Sequence, residues 1–520
     1  MKNLPIGIQT FRKIMEGNYL YIDKTREVFK LISGGGQFNF ISRPRRFGKS
    51  LFISTLKELF LGNKELFKDL WIYDKIDWAA QPVIHLDFSS LDHENAQVLK
   101  NSLVETVDAI GAGYGVQLTA SSYKNRFGEL IRKLSKNGKV AVLIDEYDKP
   151  IIDHLDNLKI AKENRKILRT FYETLKGADQ YLNFVFITGV SKFSRVSVFS
   201  GLNNLRDITL SGEFSTILGW TEDDLMHYFS DAIKDLAKKK NVTKDFLAQN
   251  IKKWYNGYSW NGVDFVYNPH SILNFFKEGQ FDNYWFTSAT PTFLIEQIRN
   301  HQTPVENFDN YETDNSIFES YDLERMNVVS LLFQTGYLTI KRIEEISLTS
   351  RAYYLSYPNT EVKESFLKHL LAEFSGKYSD EIGMLAKDLH KRLKAADIDG
   401  FFGILKSLIA SIPYNIFVEN REGYYSTIIY LALTLAGIDT GAEVQTNQGR
   451  LDTVIETEAH IYIMEFKIGK ASEAIRQIKN KKYYERYLTS GKDIKIIGIG
   501  LDVKQRNIGD YITETVEKTK

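Results

Sequence analysis

The chain has 520 residues, with 67 Lys and Arg against 66 Asp and Glu and no cysteine. Its length sets a prior of several domains, each able to bury its own core without a staple. The missing cysteine excludes a disulfide framework, thiolate-bound zinc and a thiol nucleophile, and the formal net charge of +1 excludes a globally basic nucleic-acid coat.

The segment Met1 to Gly7 has no apolar stretch and no cleavage site, so no secretion signal is expected. From Gln37 to about Leu210, short apolar runs alternate with amphipathic stretches. The runs are Phe38–Ile41, Val83–Phe88, Val140–Ile144 and Phe184–Thr188. Runs of this kind, separated by helices, predict a parallel sheet covered on both faces. Gly34-Gly35-Gly36 precedes the first run and reads as a turn. From Thr221 to about Ala410 the pattern is mostly helical, with strand-like stretches at Tyr337–Lys341 and Arg351–Ser356. From about Tyr424 the order is helix, strand, strand, helix, strand, a second and smaller α/β unit. The expected segments are therefore 1–215, 216–405 and 406–520. The most apolar stretch, Ile428–Ile438, is about half the length that spans a bilayer. A cytoplasmic protein with no membrane partner is expected, which also suits a cysteine-free chain.

Gly48-Lys49-Ser50 follows the first strand and opens the amphipathic helix Leu51–Phe60. A helix N-terminus with free backbone N–H groups favours a polyphosphate. Lys49 would reach the β- and γ-phosphates, and Ser50 would hold Mg²⁺. The full phosphate loop has a glycine five residues before Gly48, and here that position is Arg43. The run Arg43-Pro44-Arg45-Arg46-Phe47 is thus a degenerate match, and on the tripeptide alone an ordinary basic turn fits equally well. The strand Val140–Ile144 adds weight, because it runs straight into Asp145 and Glu146. Two carboxylates ending a buried strand are costly without partners or a function. Asp145 would hold the Mg²⁺ shell and Glu146 would polarise the attacking water. The strand Val83–Phe88 lies between the two motifs, which suits ATPases with an extra strand between the motif strands. Thr188 would sense the γ-phosphate, and Arg195 or Arg206 would supply a charge in cis or in trans.

Near the C-terminus, Gly449–Ile455 and Ile461–Lys467 read as two strands joined by Glu456–His460. Alternation puts Glu465 and Lys467 on one face. A turn near Thr457–Ala459 places Asp452 opposite Met464 or Glu465, so two carboxylates and a lysine converge. Hard oxygen ligands suit Mg²⁺ or Mn²⁺. A solvated cross-strand salt bridge fits the same residues. Glu422, at the start of the helix Tyr424–Ala436, would bring a third carboxylate. Gln477 and Tyr484 lie seven apart and would share a face of the next helix, among Lys479, Lys481, Lys482 and Arg486.

Taken together, the chain resembles the bacterial and archaeal family with an N-terminal AAA-ATPase-like domain and a C-terminal PD-(D/E)XK nuclease-superfamily domain. The resemblance runs through Tyr21-Ile22-Asp23-Lys24-Thr25, Ser42 to Ser50, Ile144-Asp145-Glu146-Tyr147-Asp148 and Thr188-Gly189-Val190-Ser191-Lys192-Phe193. It continues in Trp254-Tyr255-Asn256-Gly257-Tyr258, Tyr267-Asn268-Pro269, Gln334-Thr335-Gly336-Tyr337-Leu338, Tyr357-Pro358-Asn359, Gly449-Arg450-Leu451-Asp452 and Glu465-Phe466-Lys467. It implies a P-loop core with a parallel sheet, a helical middle with a winged-helix element, and a restriction-endonuclease-like α/β domain. It makes Arg43 the family's own variant of the loop. It assigns Asp452 and Glu465 to a metal, Lys467 to the catalytic lysine, and Glu422 and Gln477 to supporting positions. Ser426 departs from the pattern, where family members often carry histidine. The implied function is an ATPase, using ATP and Mg²⁺, coupled to a metal-dependent nuclease acting on DNA or RNA, DNA foremost. The alternative is a nucleotide-dependent switch or binding module whose C-terminal domain holds nucleic acid or protein without cutting.

Overall fold

Runs of Val, Ile, Leu and Phe too short for a helix form the central strands. In the computed structural model these are β1 (Phe38–Ser42), β2 (Val83–Asp87), β3 (Val140–Asp145) and β4 (Leu182–Gly189), joined at the edge by the short, charged β5 (Arg206–Asp207). Every residue of β1 and β3 is buried, as expected for strands covered on both faces. The structure describes residues 2–192, 198–199, 201–286, 294–295, 297–298, 305–318, 327–412, 421–438, 445–446, 453–502 and 504–516, without the side chains of 306, 421–426, 438 and 445–446. The strands pair in parallel in the order β2-β3-β4-β1-β5. The strand lying between β1 and β3 is therefore β4, which carries Thr188. The strand that falls between the two motifs in sequence, β2, lies at the sheet edge. Strand order follows the crossover connections, not the chain order alone.

The helices around this sheet are α1 (Phe11–Glu16), α2 (Thr25–Ser33), α3 (Lys49–Phe60), α4 (Ala96–Gly113), α5 (Tyr123–Leu134), α6 (Lys149–Ile152) and α7 (Leu158–Gly177). In α7 the buried residues Ala161, Asn164, Ile167, Leu168, Phe171, Tyr172 and Leu175 recur every three or four positions, one apolar stripe. Phe171 stacks on Phe127 of α5 with ring centroids 4.4 Å apart. Next come α8 (Glu222–Lys239), α9 (Lys244–Tyr255) and α10 (Pro269–Glu278). Thr221 and Asp224 form a capping box that starts α8. These helices close on Leu225, Phe229, Ile233, Ile251, Tyr255 and Phe275. Beyond them lie β6 (Tyr311–Thr313), α11 (Val328–Thr335), β7 (Thr339–Ser347) and β8 (Ser350–Ser356). The three strands form an antiparallel sheet in the order β6-β8-β7, a helix and hairpin where a winged-helix element was expected.

Met1–Leu294 with Asn310–Glu361 makes one compact unit, and Ile295–Asp309 with Val362–Lys520 makes a second. Helix α12 (Thr360–Ser375) carries the chain from one into the other. The second unit continues with α13 (Ser379–Lys394), α14 (Ile398–Ala410), α15 (Arg421–Ile438), β9 (Gln445–Thr446), β10 (Thr453–Glu456), β11 (His460–Ile468), α16 (Ala471–Lys481), β12 (Asp493–Asp502) and β13 (Asn507–Thr515). Its sheet runs β13-β12-β11-β10-β9, with β11 and β12 parallel and the other pairs antiparallel. Helix α16 is the crossover between the parallel strands. It sits close to β12 because Gly498 has no side chain: a Cβ there would lie 2.5 Å from the Ala471 carbonyl oxygen. Among the described residues no helix is long and apolar enough to cross a membrane.

Candidate functional site

The first unit places the phosphate loop where β1 ends. The chain turns from Ser42 through Arg43–Gly48 and enters α3 at Lys49. Gly48 sits at φ 87°, a left-handed conformation that costs glycine nothing. Arg43 stands where the full loop has glycine, and its side chain turns away from the loop into the protein. It is 1% exposed. Its guanidinium donates to the carbonyls of Ser42 and Thr209, both at 2.9 Å, and of Phe214 at 3.3 Å. It also lies 3.8 Å over the Trp260 ring. Burial pushes this guanidinium down to about 9, against the pull of Asp207. Arg43 meets the loop through its backbone, since its carbonyl accepts from Lys49 Nζ at 3.0 Å.

The rest of the loop is braced from the same side of the sequence. Pro44 gives its carbonyl to Lys49 Nζ at 2.9 Å. Its ring packs on Gly336, where a Cβ would come within 2.7 Å. Phe47 is buried between Tyr258 and Trp260. Trp285 Nε1 donates to the Arg45 carbonyl at 3.3 Å. A cleft of ≈ 530 Å³ opens beside the loop, within the size range of small-molecule sites. Lys49, Ser50, Arg46 and Glu146 line its polar side, and Leu20, Ile22, Leu218 and Trp220 its apolar side.

The carboxylates at the end of β3 complete this site. Asp145 accepts from the Thr188 hydroxyl at 2.5 Å and from the Glu146 N–H at 3.1 Å. Thr188 is fully buried and spends its hydroxyl on Asp145. Glu146 sits at φ 51°, unusual for a residue with a side chain. Burial raises its carboxyl above the ordinary range, Asp145 and Asp148 push the same way, and Lys49 opposes. Asp148 is buried and accepts from Val190 N, Ser191 N and Ser191 Oγ. Burial lowers the Lys49 ammonium, while the charges of Asp145, Glu146 and Asp148 hold it up. Arg206 does not reach this site from within the chain. It pairs with Asn39 near the start of β1, the end of that strand away from the loop, and binds Glu213 at 3.1 Å. Arg195 lies outside the described residues.

The second unit holds the carboxylate–lysine strand. Thr453 pairs with Met464 and Glu456 with Ile461, one of the two expected registers. The turn is closed by Thr457 N donating to the His460 carbonyl at 2.8 Å. Glu465, on β11, is 1% exposed. Its Oε1 accepts a hydrogen bond from Gln477 Nε2 of α16. The same oxygen lies 3.4 Å from Lys467 Nζ, on a side chain 33% exposed. Among the described residues, Glu465 Oε2 has no hydrogen-bond partner. A buried carboxylate oxygen without a donor is costly, and the donor set suits a hard cation. Asp452 lies outside the described residues. Glu422 falls in the first turn of α15, and its side chain lies outside them too. Tyr484 is not on the face of Gln477: α16 ends at Lys481, and Lys482 follows in a left-handed turn. Tyr483, Tyr484 and Tyr487 instead pack against the core formed by Ile475 and Ile478.

Pro269, named in the sequence only for the resemblance, and His270, not named there, also line the cleft. The signal was present in Tyr267-Asn268-Pro269, an N-cap asparagine and a first-turn proline that fix where a helix begins.

Residues 5–199 match the family model described as a predicted AAA-ATPase, and residues 420–511 match that of the PD-(D/E)XK nuclease superfamily. An uncharacterized protein encoded in the vnfD 5′ region of Azotobacter chroococcum mcd 1 is 36% identical over 526 residues, covering 99% of each chain. With an N-terminal and a C-terminal segment matched in order and a relative alike from end to end, the chain belongs to the family that joins an AAA-ATPase-like domain to a C-terminal PD-(D/E)XK nuclease-superfamily domain.

Proposed function

We propose that the chain binds and hydrolyses ATP, and that its nucleotide state governs a Mg²⁺- or Mn²⁺-dependent phosphodiesterase acting on DNA or RNA, with DNA the first substrate to test. Segment 1–215 is the ATPase part, 216–405 the helical part and 406–520 the nuclease part; a cytoplasmic setting belongs to the same reading. The observation that carries it is Glu465: a buried carboxylate with one oxygen held by Gln477 and Lys467 and the other without a donor among the described residues. A purely structural acid in a core would have both oxygens satisfied.

In this reading the loop backbone from Arg43 to Gly48 wraps the polyphosphate. Lys49 exchanges the Arg43 and Pro44 carbonyls for phosphate oxygens. Ser50 and Asp145 are the residues that would hold Mg²⁺, and Thr188 fixes the Asp145 carboxylate. Glu146, raised by burial, orients the attacking water and takes its proton. In the second unit Asp452 and Glu465 would hold the divalent cation, which supplies charge stabilisation for a phosphodiester being cut. Lys467 orients the water, Gln477 keeps Glu465 in place, and Glu422 adds a third acid.

The test is a cleavage assay over single- and double-stranded DNA and RNA with Mg²⁺ or Mn²⁺, with and without ATP. Lys49→Ala is expected to abolish ATP turnover. Lys467→Ala is expected to lower cleavage by about 10² to 10⁴ while ATP affinity stays within about twofold. No cleavage of any polymer under any of these conditions sinks the nuclease half. ATP binding that persists while calorimetry detects no metal binding points instead to a binding module.

A further inference from the structure

The helical hairpin of the first unit carries a cluster that the ATP reading leaves unused. Lys238 and Lys239 end α8 and Lys240 caps it, and all three side chains are exposed. None of the three forms an ion pair among the described residues, whereas Lys252 of α9 binds Glu222 at 3.5 Å and Lys244 Nζ donates to Ser230 Oγ at 2.7 Å. Phe246, the third residue of α9, is 57% exposed, and its ring has no aromatic neighbour among the described residues. From Lys238 to Phe246 the chain carries four lysines and one acid, Asp245.

The tip that holds them is fixed. Lys240 N donates to the Leu236 carbonyl at 2.9 Å and Val242 N to the Ala237 carbonyl at 3.0 Å, with Asn241 left-handed at φ 55° between them. Thr243 caps α9 by accepting from Phe246 N at 3.2 Å. Ala237 of α8 and Leu247, Ala248 and Ile251 of α9 lie in the shared core. Phe246 stands just outside that buried stripe, so its ring is held in water by the packing of its neighbours.

The macrodipole of α8 favours cations in its last turn, and single exposed apolar residues are ordinary, so neither feature alone marks a site. Together they make a different surface: uncompensated cations beside an unstacked aromatic ring on a rigid turn. Such a pairing suits a strand with phosphates on one side and free base faces on the other. An anionic bilayer would gain little here, because Phe246 is the only large apolar side chain exposed at the tip and Asp245 flanks it. We propose that the α8–α9 tip is a docking surface for single-stranded DNA, with Lys238, Lys239 and Lys240 on phosphates and Phe246 stacked on an unpaired base. The assignment rests on the nucleic-acid reading above and is independent of the ATP site.

The experiment measures binding of fluorescent oligo(dT) and of a blunt duplex to the full-length chain by anisotropy, in EDTA and over about 50 to 300 mM salt. Lys238→Gln/Lys239→Gln/Lys240→Gln is expected to flatten the slope of log affinity against log salt by about two, from three phosphate contacts at about 0.7 each. Phe246→Ala is expected to weaken oligo(dT) binding about tenfold, with the salt slope kept and duplex affinity within about twofold. Phe246→Trp restores the stacking face and stays within about twofold of wild type. An unchanged salt slope in the triple variant overturns the assignment, as does a Phe246→Ala that matches wild type or weakens both DNA forms alike. So does retention of wild type on phosphatidylserine vesicles that Phe246→Ala abolishes while oligo(dT) affinity is untouched. A wild type that binds neither form of DNA overturns the nucleic-acid reading, and this assignment with it. Binding with the expected variant pattern but no cleavage in Mg²⁺ or Mn²⁺ sinks the nuclease half alone and leaves the docking surface standing.

Discussion

Arg43 shows how one residue can look like a defect in a motif and be a support of the fold. A glycine at this position would match the full phosphate loop. Here it would remove three donors to the carbonyls of Ser42, Thr209 and Phe214 and the stacking on Trp260. Buried carbonyls left without donors cost about 1–3 kcal/mol each. Arg43→Gly is therefore expected to lower the melting temperature by many degrees and to weaken ATP binding. Arg43→Lys keeps the charge, but an ammonium cannot fork to separate carbonyls and lie flat on an indole, so it recovers only part of the loss. Calorimetric melting of both variants checks this; a glycine variant as stable as wild type would remove Arg43 from the fold's support. The partners of Arg43 explain why its role was not legible in the sequence. Thr209 and Phe214 lie 166 and 171 residues further on, and no local pattern links them. The places of Lys49 and Gly48 were legible because they are set by the local turn from strand to helix.

At the scale of elements, local periodicity read well and neighbour relations read poorly. Four of the five strands of the first sheet fall where apolar runs stand in the sequence, the charged β5 being the exception, and Glu465 and Lys467 share a face because strand alternation is a local rule. The place of β4 between β1 and β3 follows from crossovers that no single run encodes. The end of α16 at Lys481 cuts the expected pairing of Gln477 with Tyr484, because the tyrosines are drawn onto the core of Ile475 and Ile478. The junction of α10 and α12 is another non-local product. Glu361, in the first turn of α12, is fully buried and accepts from Ser271 Oγ and from Trp285 N at 2.7 Å. Burial raises its carboxyl to about 8, although these donors oppose the shift. An unfolded glutamate titrates near about 4.3. Between those values the folded chain keeps a proton that the unfolded chain has released. Stability is thus lost as pH rises through this window and is level above it. Glu361→Gln mimics the protonated acid. It is expected to melt close to wild type at pH 5 and several degrees above it at pH 8.5. Melting temperatures over pH 5 to 9 check this, and a gap that narrows with rising pH sinks it.

At the scale of the whole molecule, the near-equality of 67 bases and 66 acids is an average over unlike regions. The first sixty residues hold eleven bases and four acids, and the loop with Arg45, Arg46 and Lys49 lies among them. Neutrality overall is compatible with confined sites for phosphate. The two compact units have their own sheets and their own apolar clusters, one around Leu225, Phe229 and Ile251, the other around Ile463, Ile475 and Ile478. Chains built this way do not unfold in one step. Two calorimetric transitions are therefore expected, and Ile478→Ala, which empties part of the second core at a cost of about 2–5 kcal/mol, marks the one that belongs to the second unit. A ligand that binds only the folded form of one unit stabilises that unit by mass action, about 2.7 kcal/mol at a concentration a hundred times its Kd. Saturating Mg²⁺-ATP should raise the other transition by a few degrees and move the one marked by Ile478→Ala by less, the smaller shift being the coupling that control of the nuclease by nucleotide requires. Lys49→Ala should abolish that shift without moving either transition in the absence of nucleotide by more than a degree or two. If Mg²⁺-ATP moves both transitions together, the units unfold as one body, and nucleotide binding in the first is energetically linked to the fold of the second.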